Sequence, residues 1–192
     1  MIEIILIGGG GHCVSCIDVI EMENRFKIAG IVDQNEKIGN KVLGYEIIGT
    51  DKDIPALLKS YNYFHLTIGQ IGKPDVRLKI SSMFQGSSAI FPTLVSPLAY
   101  VSKHASIGAG TIVMHFAMIN AGAHVGEHCI INSKSLIEHD AEVGDFCHVA
   151  TGAIVNGGVK IGRESFLGSA SVTKQSTVIP DNSFVKANIL FK

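Results

Sequence analysis

The block IEHDAE, residues 137–142, places three titratable side chains next to one another: Glu138, His139 and Asp140. A histidine titrates near neutral pH, so its imidazole can accept a proton from a nucleophile such as an amine. Asp140, or less directly Glu138, can bind the second ring nitrogen and favour formation of the imidazolium. The block therefore predicts general-base catalysis, and a solvent-exposed charged edge without catalytic function is the alternative.

A second group of residues that could bind a ligand lies near the N-terminus, where GGGGH (8–12) ends an apolar run. Glycines at the start of a helix let backbone N–H groups approach a phosphate. Asp33 ends the next apolar run, about 20 residues further on, where a carboxylate commonly accepts from a ribose hydroxyl. The motif Gly8-x-Gly10-x-x-Cys13 departs from the dinucleotide fingerprint at its last position. The turn predicts a nucleotide site, with tight backbone packing as the alternative.

The elements around this turn alternate between strands and helices. Apolar runs and helical spacing predict strands over 3–8, 27–33 and 63–69 and helices over 14–22, 51–61 and 74–84. Such alternation is typical of a parallel sheet with right-handed crossovers. We therefore predict a small Rossmann-like domain over residues 1–91.

From Val95 onward an aliphatic residue recurs at every sixth position as far as Leu167, and a small or compact residue follows each one four places later. A double register sustained in this way predicts a stacked solenoid. Slot 173 holds threonine, so we expect the register to end near there and a C-terminal extension to follow. Cys129 and Cys147 occupy small slots 18 residues apart, and we expect them to pack in the interior.

Composition excludes several classes of protein. Hydrophobic residues make up 46% of the chain and charged residues 17%, as in a globular protein. The formal net charge of −1 gives no indication of a nucleic-acid partner or an anionic membrane surface. The chain contains no run of about 18 apolar residues, so no membrane-spanning helix is predicted. The start MIEIILIGGG lacks the basic region of a signal peptide, and the four cysteines fit reduced thiols, so we expect a cytoplasmic protein.

The double register containing IEHD resembles the hexapeptide-repeat acyltransferases. That family has a left-handed parallel β-helix and generally forms trimers with active sites between subunits. An α/β unit with GGGGH followed by such a coil is similar, over nearly the whole chain, to the sialic-acid O-acetyltransferase and bacillosamine N-acetyltransferase family. The resemblance implies a Rossmann-like nucleotide-sugar-binding domain over 1–91, a left-handed β-helix acetyltransferase domain over 92–192, and a homotrimer.

The same resemblance implies an acetyl-CoA-dependent N-acetyltransferase. The expected acceptor is the amino group, at C4, of a nucleotide-linked amino-dideoxy sugar, with acetyl-CoA as co-substrate and no tightly bound cofactor. His139 matches the catalytic histidine of the family and Asp140 its partner. Two alternatives stay open: an O-acetyltransferase of a sialic-acid-like sugar, and a non-catalytic nucleotide-sensing scaffold.

The resemblance also places binding residues. The nucleotide-sugar site is expected at Gly10, Gly11, His12, Asp33, Gln34, Gly69 and Gln70. The acetyl-CoA site is expected at Asn132, His148, Gly157, Gly168 and Lys174. The N–H of Gly157, one coil from His139, could stabilise the negative charge that develops on a thioester oxygen. No metal is expected, because the His-x4-His spacing of the zinc hydrolases built on the same helix does not occur.

Overall fold

The computed structural model describes residues 1–192 and divides the chain into two compact units. The first unit consists of residues 1–69 and 75–92, and the second of residues 70–74 and 93–192. The sequence analysis placed one boundary, after residue 91. In the structure the short segment 70–74 also clusters with the second unit.

The first unit contains a five-stranded sheet in the order β3-β4-β2-β1-β5. Its strands are β1 Ile2–Ile7, β2 Phe26–Val32, β3 Lys41–Val42, β4 Tyr45–Gly49 and β5 Tyr63–Leu66. Its helices are α1 Gly11–Glu23, α2 Ile54–Leu57 and α3 Asp75–Ser82, with 3-10 turns at Asn35–Lys37 and Asp51–Asp53. The strands are parallel except β3, which is antiparallel to β4. The last four residues of β1 are all buried, as expected for a central parallel strand.

Two elements of this unit differ from the prediction. The helix predicted over 51–61 is a 3-10 turn followed by the four-residue α2, and Thr50 and Asp53 form a capping box at its start. The hairpin of β3 and β4 was not predicted because its first strand has only two residues. Leu43 and Gly44 both have positive φ, 48° and 91°, which closes a two-residue hairpin turn.

The second unit is a left-handed parallel β-helix with three faces of two-residue strands. The first face contains β6 Leu94–Val95, β9 Ile112–Val113, β12 Ile130–Ile131, β15 His148–Val149, β18 Phe166–Leu167 and β21 Phe184–Val185. The second contains β7 Tyr100–Val101, β10 Met118–Ile119, β13 Leu136–Ile137, β16 Ile154–Val155, β19 Val172–Thr173 and β22 Leu190–Phe191. The third contains β8 Ser106–Ile107, β11 His124–Val125, β14 Glu142–Val143, β17 Lys160–Ile161 and β20 Val178–Ile179.

The residues at the two predicted repeat positions, the aliphatic slot and the small slot, form the core of the β-helix. Each strand pairs in parallel with the strand 18 residues later, as Leu136 pairs with Ile154. The aliphatic second residue of each strand points inward, and Ile137 and Val155 are fully buried. The small slot is buried as well, including Cys129 and Cys147. Stacking identical positions coil after coil keeps one continuous apolar interior.

The hexapeptide register continues past residue 173, so the predicted end of the coil is wrong. Thr173 is fully buried in the aliphatic slot, and its Oγ1 accepts a hydrogen bond from Asn156 N at 3.0 Å. A β-branched threonine can fill a valine-sized slot when its hydroxyl finds a partner. Ile179 and Val185 keep the register, and the expected C-terminal extension is coil as far as Phe191.

Four-residue links join the faces, and the first three residues of these links form three corners, each named here after one of its histidines or asparagines. The His139 corner joins the second face to the third and consists of residues 102–104, 120–122, 138–140, 156–158 and 174–176. The His128 corner joins the third face to the first: 108–110, 126–128, 144–146, 162–164 and 180–182. The Asn132 corner joins the first face to the second: 96–98, 114–116, 132–134, 150–152, 168–170 and 186–188.

No helix of either unit is both long enough and apolar enough to cross a bilayer.

Candidate functional site

The side chains of His139 and Asp140 are held together at the end of β13. His139 Nδ1 lies 2.8 Å from Asp140 Oδ2. Asp140 has a φ of 58°, a left-handed conformation that aspartate tolerates. Its carboxylate lies over Gly122 of the coil below, where an added Cβ would be 2.3 Å from Asp140 Oδ1. The glycine in the lower coil therefore makes room for the carboxylate.

The other imidazole nitrogen of His139 faces the coil above. A Cβ atom added to Gly157 would lie 2.6 Å from His139 Nε2, so only glycine at position 157 leaves the ring in this orientation. The side chain of His139 is 59% exposed. Because Nδ1–H of the neutral ring donates a hydrogen bond to Asp140, Nε2 carries the lone pair. The geometry presents a basic nitrogen to solvent beside a glycine backbone.

The electrostatics of the corner favour the protonated imidazole. The hydrogen bond to Asp140 raises the pKa of His139 above its ordinary value. Desolvation opposes this increase, and the charges of Asp140 and Glu138 add to it. A general base must be neutral to accept a proton. The raised pKa therefore moves the acid limb of any activity that depends on His139 to a higher pH.

His148 and Asn132 form a separate group on the first face and the Asn132 corner. The His148 ring is buried, and its Nδ1 donates to the carbonyl oxygen of Gln70 at 2.5 Å. Asn132 Nδ2 donates to His148 Nε2 at 3.0 Å, while Asn132 Oδ1 accepts from Ser133 N. Both ring nitrogens of His148 are thus used within the protein. This histidine anchors segment 70–74 to the coil and is not placed to act as a base.

The residues predicted to bind acetyl-CoA fall into two groups within one chain. Gly157 and Lys174 share the His139 corner. Asn132 and Gly168 lie on the Asn132 corner, which is separated from the His139 corner by the whole second face, and His148 extends from the first face. The structure brings His139 and Gly157 together and leaves the Asn132 group apart from them.

The glycine-rich turn of the first unit lies at the edge of the sheet where the strand order reverses. After β1 the chain moves to β2 on one side, and β5 pairs on the other side of β1. Thr67 Oγ1 donates to Gly8 O at 2.6 Å, and an added Cβ at Gly69 would lie 3.3 Å from His12 Cβ. The predicted residues of the turn and Gly69 therefore meet at the switch point, where open α/β sheets bind ligands.

The start of α1 suits an anion. Its first turn contains no acidic residue, and an added Cβ at Gly10 or Gly11 would meet no atom within 4 Å. The exposed N–H groups and the positive end of the helix dipole are therefore open to a ligand. Gln70 was predicted in the same site. In the structure it clusters with the second unit, and its carbonyl oxygen accepts a hydrogen bond from His148.

Asp33 directly follows the last residue of β2, and its carboxylate is engaged by groups of the protein. Asp33 Oδ2 accepts from Gly9 N at 2.8 Å, Oδ1 accepts from Gln34 N at 2.7 Å, and Lys37 Nζ lies 3.0 Å from Oδ2. Burial by itself would raise the pKa of Asp33, but these hydrogen bonds together hold it below its ordinary value. Asp33 therefore fixes the glycine turn and the position of Lys37.

Lys37 is the residue of this pocket that the sequence analysis missed. It lines a cavity with the glycine turn, Asp51 and Val76. Its ammonium has a third donor beyond the two directed at Asp33. The spacing of Lys37 could have indicated its role: it lies four residues after Asp33, in a 3-10 turn that follows a parallel strand.

The cysteines carry no visible chemistry. Cys13 and Cys16 are buried in α1, and burial raises the pKa of the Cys13 thiol to about 11. A thiol held protonated at neutral pH is a poor nucleophile. No group of three or more histidine, cysteine, aspartate or glutamate side chains is close enough to hold a metal ion.

Two family models match the two units. Residues 3–84 match the PglD N-terminal domain, and residues 104–139 match the bacterial transferase hexapeptide (six repeats). The chain therefore combines a PglD-type N-terminal domain with bacterial transferase hexapeptide repeats. The predicted family, fold class and enzyme class are thereby confirmed. A comparison with curated protein sequences gave no match.

Solved structures of similar proteins cover the whole chain. The acetyltransferase domain of PglB from Neisseria gonorrhoeae, in complex with acetyl coenzyme A, is 26% identical, with a TM-score of 0.86 over 97% of this chain and 88% of that one. PerB from Caulobacter crescentus, in complex with CoA and GDP-perosamine, is 27% identical, with a TM-score of 0.91 over 99% and 88% of the two chains. WeeI from Acinetobacter baumannii AYE shares the fold at 16% identity, with a TM-score of 0.75 over 99% and 96%.

Proposed function

We propose that this acyltransferase moves the acetyl group of acetyl-CoA to the amino group, at C4, of a nucleotide-linked amino-dideoxy sugar, with His139 as general base. The observation that carries the proposal is the ring geometry of His139. Its Nδ1 is bound to Asp140, and its Nε2 is open beside Gly157. The similarity to a PglB domain bound to acetyl coenzyme A and to PerB bound to CoA and GDP-perosamine supports this choice of substrates.

In the proposed step the neutral amine attacks the thioester carbonyl carbon. His139 Nε2 takes the proton that the amine loses, and Asp140 stabilises the resulting imidazolium. The N–H of Gly157 donates to the carbonyl oxygen while negative charge develops there. Collapse of the intermediate breaks the carbon–sulfur bond, and the proton on His139 passes to the departing thiolate of CoA.

The first unit is the proposed nucleotide site. The backbone of Gly10 and Gly11 and the start of α1 would receive the diphosphate, since this edge is open and free of acidic side chains in the first turn. His12, Gln34 and Gly69 would complete the site. Asp33 contributes by holding Gly9 N and Lys37, and Lys37 offers the remaining donor to an acceptor on the nucleotide.

A homotrimer is part of the proposal. The outward residues of the second face are apolar, and Tyr100, Met118 and Leu190 are 55%, 42% and 55% exposed. The third face is polar, with Lys160 and Glu142 forming an ion pair at 2.8 Å. An apolar column of this kind is typical of a surface that a second copy covers. Packing of copies would also supply the Asn132 corner of one subunit to the His139 corner of another.

Thiol release from acetyl-CoA tests the reaction. The purified protein would be offered 4-amino-4,6-dideoxy sugars linked to UDP, dTDP and GDP, with the matching 4-hydroxy sugar nucleotides as controls. We expect thiol release with one or more of the amino sugars and none with the hydroxy sugars. Release with a free sialic-acid-like sugar instead would favour O-acetylation, and no release with any acceptor would favour a nucleotide-sensing scaffold.

Asp33→Ala separates the two substrates. We expect the KM for the sugar nucleotide to rise by about 10–150-fold, because the turn loses a charged hydrogen bond and Lys37 loses its anchor. The KM for acetyl-CoA should change little, and Lys37→Met should resemble Asp33→Ala more weakly. Equal effects on the KM values of both substrates would show that the first unit is not the nucleotide site.

Light scattering tests the homotrimer. A molar mass near 20.5 kDa, the mass of one chain, would contradict it.

A further inference from the structure

Glu138, the third titratable residue of the IEHDAE block, has no role in the step above, and its contacts point to Asn120. Asn120 belongs to the His139 corner one coil below. Its Nδ2 donates to Glu138 Oε2 at 2.9 Å. The same oxygen faces the backbone N–H of His139 at 3.3 Å. One carboxylate oxygen therefore links a residue of the neighbouring coil to the histidine.

We propose that Asn120 is a positioning residue for acetyl transfer, because it holds the Glu138 carboxylate at the backbone N–H of His139, the residue next to it in the chain. The inference rests on the proposed function, in which His139 is the base. An imidazole that takes up a proton becomes cationic, and a nearby carboxylate stabilises that cation. A carboxylate on a flexible side chain stabilises the cation more when hydrogen-bond donors keep it close.

The charged groups around the imidazole are few. The adjoining coils contribute no titratable side chain to this corner, since their turns are Asn120, Ala121 and Gly122 below and Asn156, Gly157 and Gly158 above. Glu138 and Asp140 are the charged groups next to the ring, and both raise its pKa. Two coils away the corner carries Lys103, His104 and Lys174. Asp140 is fixed by the ring itself, whereas Glu138 is held by its 2.9 Å bond from Asn120 and by a longer, 3.3 Å bond from His139 N.

The backbone of the turn does not need the Asn120 amide. Asp140 N donates to Ala121 O at 3.2 Å, and Gly158 N donates to His139 O at 3.0 Å. Asn156, at the equivalent place one coil above, uses its amide differently: its Nδ2 donates to Thr173 O at 2.5 Å and so ties one coil to the next. Asn120 directs the same group at the Glu138 side chain. Removing it should therefore affect the carboxylate and leave the coil in place.

A double-mutant cycle with Asn120→Ala and Glu138→Gln tests the proposal. The readouts are the titration of the His139 imidazole by NMR, in the full-length protein without turnover, and the pH profile of kcat/KM. Glu138→Gln should lower the His139 pKa and reduce kcat about 3–10-fold with KM unchanged. Asn120→Ala should also lower the His139 pKa and kcat, but by smaller amounts. The double variant should be no worse than Glu138→Gln, because Asn120 acts through that charge.

Asn156→Ala is the matched control, and it should lower Tm without moving the His139 titration. An unchanged His139 titration in folded Asn120→Ala, or losses that add in the double variant, would overturn the proposal. The NMR titration does not depend on catalysis. A failure of the general-base mechanism would instead appear as full activity of His139→Ala, so the two failures are distinguishable.

Discussion

The His139 corner and the His128 corner use the same backbone and reach opposite results. In both, the third residue of the turn is left-handed, with φ of 58° at Asp140 and 52° at His128. In both, a glycine one coil below receives its side chain: Gly122 under Asp140 and Gly110 under His128. Yet His128, the third residue of its turn, is buried against Phe146, with ring centroids 4.9 Å apart, whereas His139, the second residue of its turn, is 59% exposed.

The second residue of the turn is used differently in the two corners. In the His128 corner this place holds charged side chains that cap the coil below: Asp145 Oδ1 accepts from Glu127 N at 2.8 Å, and Asp181 Oδ1 accepts from Arg163 N at 3.0 Å. In the His139 corner the residue above His139 is Gly157, which has no side chain to occupy that place. A corner of this helix becomes a site when the next coil leaves the space empty.

Replacing the two histidines should give the largest contrast. If His139 is the general base, His139→Ala should lower kcat about 10²–10⁴-fold and leave both KM values nearly unchanged. Folding should survive because Ile137 and Ala141 of that block stay in the core. His128→Ala should lower Tm through loss of the stacked ring and keep kcat. A folded His139→Ala that retains more than about a tenth of wild-type kcat would reject general-base catalysis by this residue.

Replacing the two glycines should give the next largest effect. Gly157→Ala places a methyl group 2.6 Å from His139 Nε2, so the ring must move, and we expect kcat to fall about 10–100-fold with little change in Tm. Gly110→Ala puts its Cβ 2.3 Å from His128 Nδ1 at a φ of 69°. It should instead destabilise the fold by about 1–3 kcal/mol, measured by denaturant unfolding. If Gly157→Ala lowered Tm but left kcat unchanged, the space beside Gly157 would not be required for catalysis.

Asp140→Asn should give a smaller and directional effect. Asp140 raises the pKa of His139, so the neutral base is populated only above that raised value. Removing the carboxylate should lower the pKa and shift the acid limb of kcat/KM to lower pH. The loss of imidazolium stabilisation should reduce kcat roughly 10-fold at the plateau. A profile that stayed in place, or moved to higher pH, would show that Asp140 does not act on the histidine.

The smallest effect should come from the cap in the His128 corner. Asp145→Ala removes the acceptor for Glu127 N, an exposed backbone group that water can partly satisfy. We expect a loss of about 1 kcal/mol, a fall in Tm of about 2–4 °C, and unchanged kcat. A loss of kcat comparable to that of Asp140→Asn would mean that the two corners are not independent.

Much of the fold was accessible from the sequence because its signals are local. The six-residue register predicted the coil, since each aliphatic slot must point inward whatever its neighbours are. The prediction failed at Thr173, where a polar residue keeps the register because Asn156 N, 17 residues earlier, binds its hydroxyl. It failed again at β3, which is too short to show a period of two.

The sequence by itself determined which residues could do chemistry at the corner: a histidine flanked by two acids, with a glycine 18 residues later. Only the tertiary structure decided how they are used. It directs Nδ1 to Asp140 and Nε2 to the space at Gly157, satisfies both nitrogens of His148, and occupies Asp33 with Gly9 and Lys37. The reason is physical: burial depends on a residue and its period, whereas a hydrogen bond depends on the direction of a side chain toward atoms distant in the chain.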